Sequence, residues 1–443
     1  MFRNTAVFAV AWATTAPAVL LAGLFGQQNM GETTMLPKMS DSYAQSDPSA
    51  LPVNKLAAAY QPRRVWAAAV SIIWNLFLAI SLLASHGEWS FYHRLAYYVR
   101  EVHVSSVRWI GPAYIALLFI AYSALNYPVD LWFGYLEERQ FGLAKDGIRA
   151  WTRDWLIGVA QHGFFFVTGS SLLLWLQAAF PALWLLWLGF LLLALFILTS
   201  YFAPLLLPRG LFQLEPIEPA DNQRLANLIR GCVSAASGQP VSQAQTILPP
   251  TFIFSVPDPR DFCGGLMGLG DRQVLLISRS SLTTASDSLL RFVLLHDLGH
   301  RRYHHLLIST LAGWTWVMIG MCLSQNVIGR WSPESMGHAP FIAWLALLIS
   351  LWMALGEPVL AYLGRRLEYQ ADRFYLRCGG NLAEMRIALE ELSSRNHART
   401  EGLRRRDTIF HPLPSVWNRL HAASQYTQPA APSTGGKEVG TEC

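Results

Sequence analysis

Seven stretches of this 443-residue chain are apolar enough to cross a bilayer as helices: 5–26, 65–85, 107–127, 155–180, 182–207, 307–329 and 339–364. Each reaches or nearly reaches the roughly 20 residues that span the hydrocarbon core. No other feature limits the fold so strongly, because lipid offers the backbone no hydrogen-bond partner and the segments must satisfy themselves as helices. A content of 52% hydrophobic against 14% charged residues agrees, as do 17 tryptophans, which gather where helices meet the membrane–water boundary. The first stretch has an alternative as a cleaved signal peptide, since only Arg3 precedes it and small residues follow.

Basic residues near span ends are retained in the cytoplasm. Segments 27–64, 128–154, 208–306 and 365–443 hold nearly all of them, including Arg63, Arg64, Arg209, Arg301, Arg302, Arg365 and Arg366. The opposite connections carry little beyond Arg3, Arg94, Arg100 and Arg330. The large polar segments 208–306 and 365–443 are therefore expected to face the cytoplasm together, in a bacterial inner membrane or an endoplasmic reticulum. The chain divides into a membrane region (1–207), a second region that includes the last two spans (208–423) and a Pro/Gly/Ser-rich tail expected to be disordered (424–443). Segment 27–64 reads as a poorly ordered polar loop. Gln161, His162 and Glu357 inside spans are either hydrogen-bonded or boundary residues, or the lining of a water-filled interior. Five scattered cysteines without a C-x-x-C pair suggest neither a disulfide framework nor a cysteine metal site, so any metal must be held by nitrogen and oxygen. The net charge of +5, without an aromatic-interleaved basic run, makes no case for nucleic acid.

Between the fifth and sixth spans runs SDSLLRFVLLHDLGHRRYHHLL. Ser286 or Asp287 suits a helix N-cap, and apolar residues at 289, 290, 293 and 294 recur at helical spacing. His296 and His300 thus fall one turn apart on one face, near enough to share an ion. Alone, in a chain with 12 histidines, the pair reads more readily as two exposed histidines. After the seventh span, GRRLEYQADRFYLR puts Glu368 and Asp372 one turn apart. Glu368 would complete a two-imidazole, one-carboxylate zinc set with a fourth position for water, and Asp372 could accept the outer N–H of a ligand histidine. The other reading of that segment is a solvated face in which Arg365 and Arg366 pair with Glu368 and Asp372. TFIFSV (251–256) and RQVLLIS (272–278) are the expected strands.

With these residues the sequence resembles the integral-membrane CAAX prenyl protease family of the type I, zinc-dependent class, whose pattern is H-E-x-G-H with a further His five residues on. His296, Gly299, His300 and His305 match, and Arg365, Glu368, Ala371 and Asp372 match its downstream R-x-x-E-x-x-A-D. NYPVDLWFGYLEERQFGLAKDGIRAWTRDWL (126–156) is similar to the family's N-terminal signature, and FHPLPSVWNRL (410–420) to its His-Pro segment. The resemblance implies a mainly α membrane protein, with about seven transmembrane helices around a chamber and a cytoplasm-facing, zincin-like α+β catalytic domain carrying a small edge-strand sheet. It further implies one Zn2+ on His296, His300 and Glu368, with Asp372, Arg365 and His305 around them. A prenylated or otherwise hydrophobic peptide or protein would be cleaved near its C-terminus, its backbone paired with an edge formed by Cys263, Gly264, Gly265 and Leu266. His411 and Arg419 would either bind the peptide's carbonyl or terminal carboxylate, or brace the C-terminal helix. His304 reads as a surface residue.

Two departures bear on activity. Asp297 occupies the place of the general-base Glu and is one methylene shorter, and a displacement of about 1 Å at a reacting centre costs on the order of 100-fold in rate. Cys263 and Gly264 stand where the family has Asn-Ala, which removes a side-chain contact to substrate and leaves the backbone pairing. The leading expectation is an active endopeptidase with Asp297 as general base. Its rival is a pseudopeptidase, a scaffold that binds zinc and peptide without cutting. A transporter or channel would need more ionisable residues in the spans than the sequence has.

Overall fold

The computed structural model describes residues 55–101, 109–141, 147–210, 214–237, 248–254, 264–395 and 413–427. The expected first span, Cys263, His411 and the tail beyond 427 lie outside them.

In the membrane region, α1 (Lys55–Ala84) and α2 (Gly87–Glu101) meet at a corner made by His86, whose φ of 49° is left-handed. Their apolar parts form a pair bent by 64°. Residues 55–64, expected in a loop, are helical, because the Ala-rich start KLAAAY favours a helix that runs beyond the lipid. α3 (Ile110–Leu131) continues past Pro128 through a π-helical turn (Trp132–Leu136) into α4 (Glu137–Gln140), and α5 (Ile148–Ala179) and α6 (Trp184–Gly210) follow. The connection expected over 128–154 is thus mostly helix; charged helix formers such as Glu137, Glu138 and Arg139 prolong α3 into water.

The second region opens with β1 (Glu215–Pro216) and α7 (Pro219–Ser237), then β2 (Thr251–Phe254), β3 (Gly264–Met267) and β4 (Val274–Ser278). The sheet order is β1-β2-β4-β3, with β2 and β4 parallel and the other pairs antiparallel. β3 is therefore an edge, paired through Gly265 opposite Leu276 and Leu266 opposite Leu275. After α8 (Arg279–Thr284) come α9 (Asp287–Arg302), α10 (His305–Trp331), α11 (Pro340–Arg377), α12 (Leu382–Arg395) and α13 (Val416–Thr427). The start of the expected tail, Ser424 to Thr427, belongs to α13.

Among the described residues five helices are long and apolar enough to cross a membrane, or six if the bent α1–α2 pair is one span. Two cores result. One packs Tyr114, Phe166, Trp184, Phe341 and Leu345 among the spans; the other packs Leu225, Ile253, Leu275, Leu289, Leu295, Tyr375 and Leu389 between sheet and helices. α10 and α11 are joined by a reciprocal clasp. The Trp316 and Trp352 rings stack at 4.5 Å, and each indole N–H donates to the other residue's carbonyl, at 3.3 and 2.8 Å. Each ring lies over a glycine of the facing helix, Trp352 on Gly320 and Trp316 on Gly356, where a Cβ would overlap it. Within the spans Gln161 is exposed, His162 Nδ1 lies 2.6 Å from the Gly158 carbonyl, and Glu357 is exposed. Cys378, at the end of α11, is disulfide-bonded, a pairing that the scattered cysteine spacing does not announce.

Candidate metal centre

Two helices build the centre. α9 starts at Ser286, whose Oγ accepts from the Leu289 amide at 3.1 Å, and it buries Leu289, Phe292 and Leu295 while turning His296 and His300 toward α11. Gly299, between the histidines, lets the helices close. A Cβ there would lie 3.1 Å from both Ala371 Cα and Phe374 Cβ. On α11, Glu368 and Asp372 sit three residues before and one after Ala371, so the close approach points both carboxylates at the histidines.

The donor atoms converge. His296 Nε2 is 3.0 Å from His300 Nε2 and 3.3 Å from Glu368 Oε2, and His300 Nε2 is 3.5 Å from Glu368 Oε1. One ligand atom from each of the three residues lies within 4.8 Å of the others. Tetrahedral zinc with bonds near 2.0–2.1 Å needs ligand atoms about 3.3 Å apart, so the set fits.

The outer nitrogens decide which lone pairs face inward. His296 Nδ1–H donates to Asp372 Oδ1 at 3.0 Å, leaving Nε2 its lone pair. Arg419 grips the same carboxylate with both Nε and Nη2, at 2.9 and 2.5 Å, and its Nη2 approach of 3.2 Å to His296 Nδ1 is then a contact, not a second hydrogen bond. His305 Nε2–H donates to Gln370 Oε1 at 3.2 Å, so His305 Nδ1 accepts from His300 Nδ1–H at 2.9 Å, and His300 Nε2 also keeps its lone pair. Two imidazole lone pairs 3.0 Å apart repel unless a proton or a metal cation lies between them.

Electrostatics repeat the point. Burial disfavours an imidazolium at His296, yet the Asp372 and Glu368 carboxylates outweigh it and raise that residue's pKa. His300 is pushed down by burial and by its neighbour His296. A pair that can hold only one proton suits a single divalent ion. Burial raises the Asp297 carboxyl to about 6, and its Oδ2 is buried without a hydrogen-bond partner among the described residues.

His296, His300, Glu368, Asp372 and His305 are thus brought together; spacing pairs His296 with His300 and Glu368 with Asp372, and His305 enters through the family resemblance. Arg365 is buried on α11, three residues before Glu368 on the same face. Arg419, read as either a substrate contact or a brace for the C-terminal helix, spends its guanidinium on Asp372 and covers the Phe292 ring at 5.2 Å. Ser415 Oγ caps its helix by accepting from the Asn418 amide at 3.2 Å. Gly264, Gly265 and Leu266 lie on the sheet edge, which packs against α9. Gln370 belongs to no motif in the sequence; its position between Glu368 and Asp372 is the one signal it carries. His304, read as a surface residue, is exposed and also makes the left-handed corner (φ 54°) that ends α9 and folds His305 back onto His300.

Two family models match adjoining parts of the chain: CAAX prenyl protease N-terminal, five membrane helices, over residues 52–208, and Peptidase family M48 over residues 219–427. The crystal structure of S. mikatae Ste24p has the same fold, with a TM-score of 0.62 at 17% identity, over 94% of this chain and 98% of that one. No curated protein matches the chain in sequence. With its apolar helices and paired histidines, the molecule is an integral-membrane peptidase of family M48. Within that class, the chain belongs to the CAAX prenyl protease family.

Proposed function

We propose that this chain is a zinc-dependent endopeptidase that cuts prenylated or otherwise hydrophobic peptides at the cytoplasmic face of its membrane. The observation that carries the reading is the triangle of His296, His300 and Glu368 donors, with both outer imidazole nitrogens already engaged. His296, His300 and Glu368 would hold a zinc ion, which when bound would supply Lewis-acid polarisation of the scissile carbonyl and a nucleophilic water at neutral pH. The chain's own residues do the rest. Asp297 takes a proton from the attacking water at its unpartnered Oδ2 and returns one to the leaving amine. The β3 edge receives the peptide as an added strand, aligning its carbonyl beside α9. Asp372 with Arg419, and His305 with Gln370, hold the two imidazoles in the tautomers that the metal requires.

Asp297 itself favours a second reading, a scaffold that binds zinc and peptide without turnover, because its shorter side chain sets the carboxylate back from the reacting atoms. Zinc content by elemental analysis, with cleavage of a farnesylated or hydrophobic peptide, separates the two. An endopeptidase carries about one zinc per chain and gives a chelator-sensitive product, and Glu368→Ala loses both. A scaffold carries the zinc and yields no product until Asp297→Glu restores it, by on the order of 100-fold. Wild type purified without zinc in zinc-replete medium rejects both readings.

A further inference from the structure

Away from the metal centre, a groove of about 590 Å³ opens on the outer surface of α5, lined by Arg149, Thr152, Arg153, Leu156 and Ile157 together with Tyr127 of α3. We propose that it holds an anionic phospholipid, with the phosphodiester on Arg149 and Arg153 and an acyl chain laid along Leu156 and Ile157.

Helical spacing sets the order of these groups. Arg149 and Arg153 are one turn apart, hence on one face, and Leu156 continues that face toward the middle of the span. Leu156 and Ile157 are 55% and 50% exposed, an apolar wall in a helix of membrane-spanning length. The aromatic rings beside the arginines would set them at headgroup height. Trp155 and Trp151 flank Tyr127, with ring centroids 4.9 and 6.3 Å away, and such rings collect at the interface.

The charges select the headgroup. Arg149 has no ion-pair partner among the described residues. Arg153 turns Nε and Nη2 to Asp154 Oδ1, at 3.0 and 2.9 Å, which leaves Nη1 uncommitted. Asp130, the other nearby carboxylate, accepts from Trp155 Nε1 at 3.1 Å. Between the arginines, Tyr127 Oη and Thr152 Oγ1 are 3.1 Å apart; one donates to the other, and the second hydroxyl proton is available to a phosphate or ester oxygen. A choline headgroup would bring a cation against two guanidinium groups, whereas a glycerol headgroup brings none.

The test uses the full chain, stripped of lipid in detergent and supplied with phosphatidylglycerol or phosphatidylcholine, with retained lipid counted by native mass spectrometry. Wild type should retain phosphatidylglycerol about 30-fold better, since each of the two interfacial arginines contributes about 1 kcal/mol. That preference should shrink as salt is raised. Arg149→Gln with Arg153→Gln should remove the preference, and Leu156→Trp, which fills the groove, should reduce retention of both lipids. Equal retention of the two lipids by wild type, the behaviour of annular lipid only, overturns the proposal. So does an undiminished preference in the double variant. The salt series needs only wild type, and a preference insensitive to salt overturns the proposal without any variant.

Discussion

α11 makes two close contacts with glycine at their centre, and they use it in opposite ways. Against α10, inside the bilayer, Gly320 and Gly356 leave room for the indoles of Trp352 and Trp316, so side chains fill the gap and lock the helices. Against α9, Gly299 lets backbone meet backbone at Ala371, with nothing between. Filling the space serves stability, since packing is what holds helices together where lipid is as apolar as they are. Closing the space serves distance, since the separation of α9 and α11 sets the span between the histidines and Glu368.

The contrast breaks if either contact proves to do the other's work. The largest effect on the α9–α11 side is expected from Asp372→Ala, which frees the His296 ring and strands Arg419: metal affinity or activity should fall 10- to 100-fold, as when such supporting carboxylates are lost. Competition with a zinc chelator measures it. Next, Gly356→Ala overpacks the clasp against Trp316 and should cost about 1–3 kcal/mol of stability, seen as earlier thermal unfolding in detergent, while zinc per folded chain stays constant. Smallest is Gly299→Ala. The new methyl makes Ala371 and Phe374 yield, widening the donor triangle by a fraction of an ångström, so turnover should drop about 10-fold with little change in melting. A melting loss equal to that of Gly356→Ala, with activity kept, would show that the two contacts do not differ in kind.

The spans and the His296–His300 pair are legible in the order of the amino acids because both obey short-range rules, whereas Glu368, on a separate helix, is singled out as the third ligand only with the family resemblance. Lipid forces helices, and a shared ion forces residues onto one helical face. Partners distant in sequence follow no such rule. Periodicity places Gln370 on α11, but only the fold brings it 3.2 Å from His305. Arg419 reads as either a substrate contact or a helix brace because the sequence does not disclose that α13 lies against α11 at Asp372. The α1–α2 bend is hidden for another reason. Its corner rests on His86 in a left-handed conformation, for which the usual glycine signal is missing. The edge position of β3 follows from the family resemblance, since GGLM alone carries no strand period.

α11 is one 38-residue helix, about 57 Å long, with its apolar half in lipid and Glu368 near its far end. Such a rod works as a lever whose fulcrum is the bilayer. A thicker or thinner membrane changes the tilt of a spanning helix, and because Gly299 closes α9 onto α11 at Ala371, such a tilt would carry both ligand helices together. The donor triangle would then keep its shape while its height and orientation above the lipid follow the membrane half of the same helix.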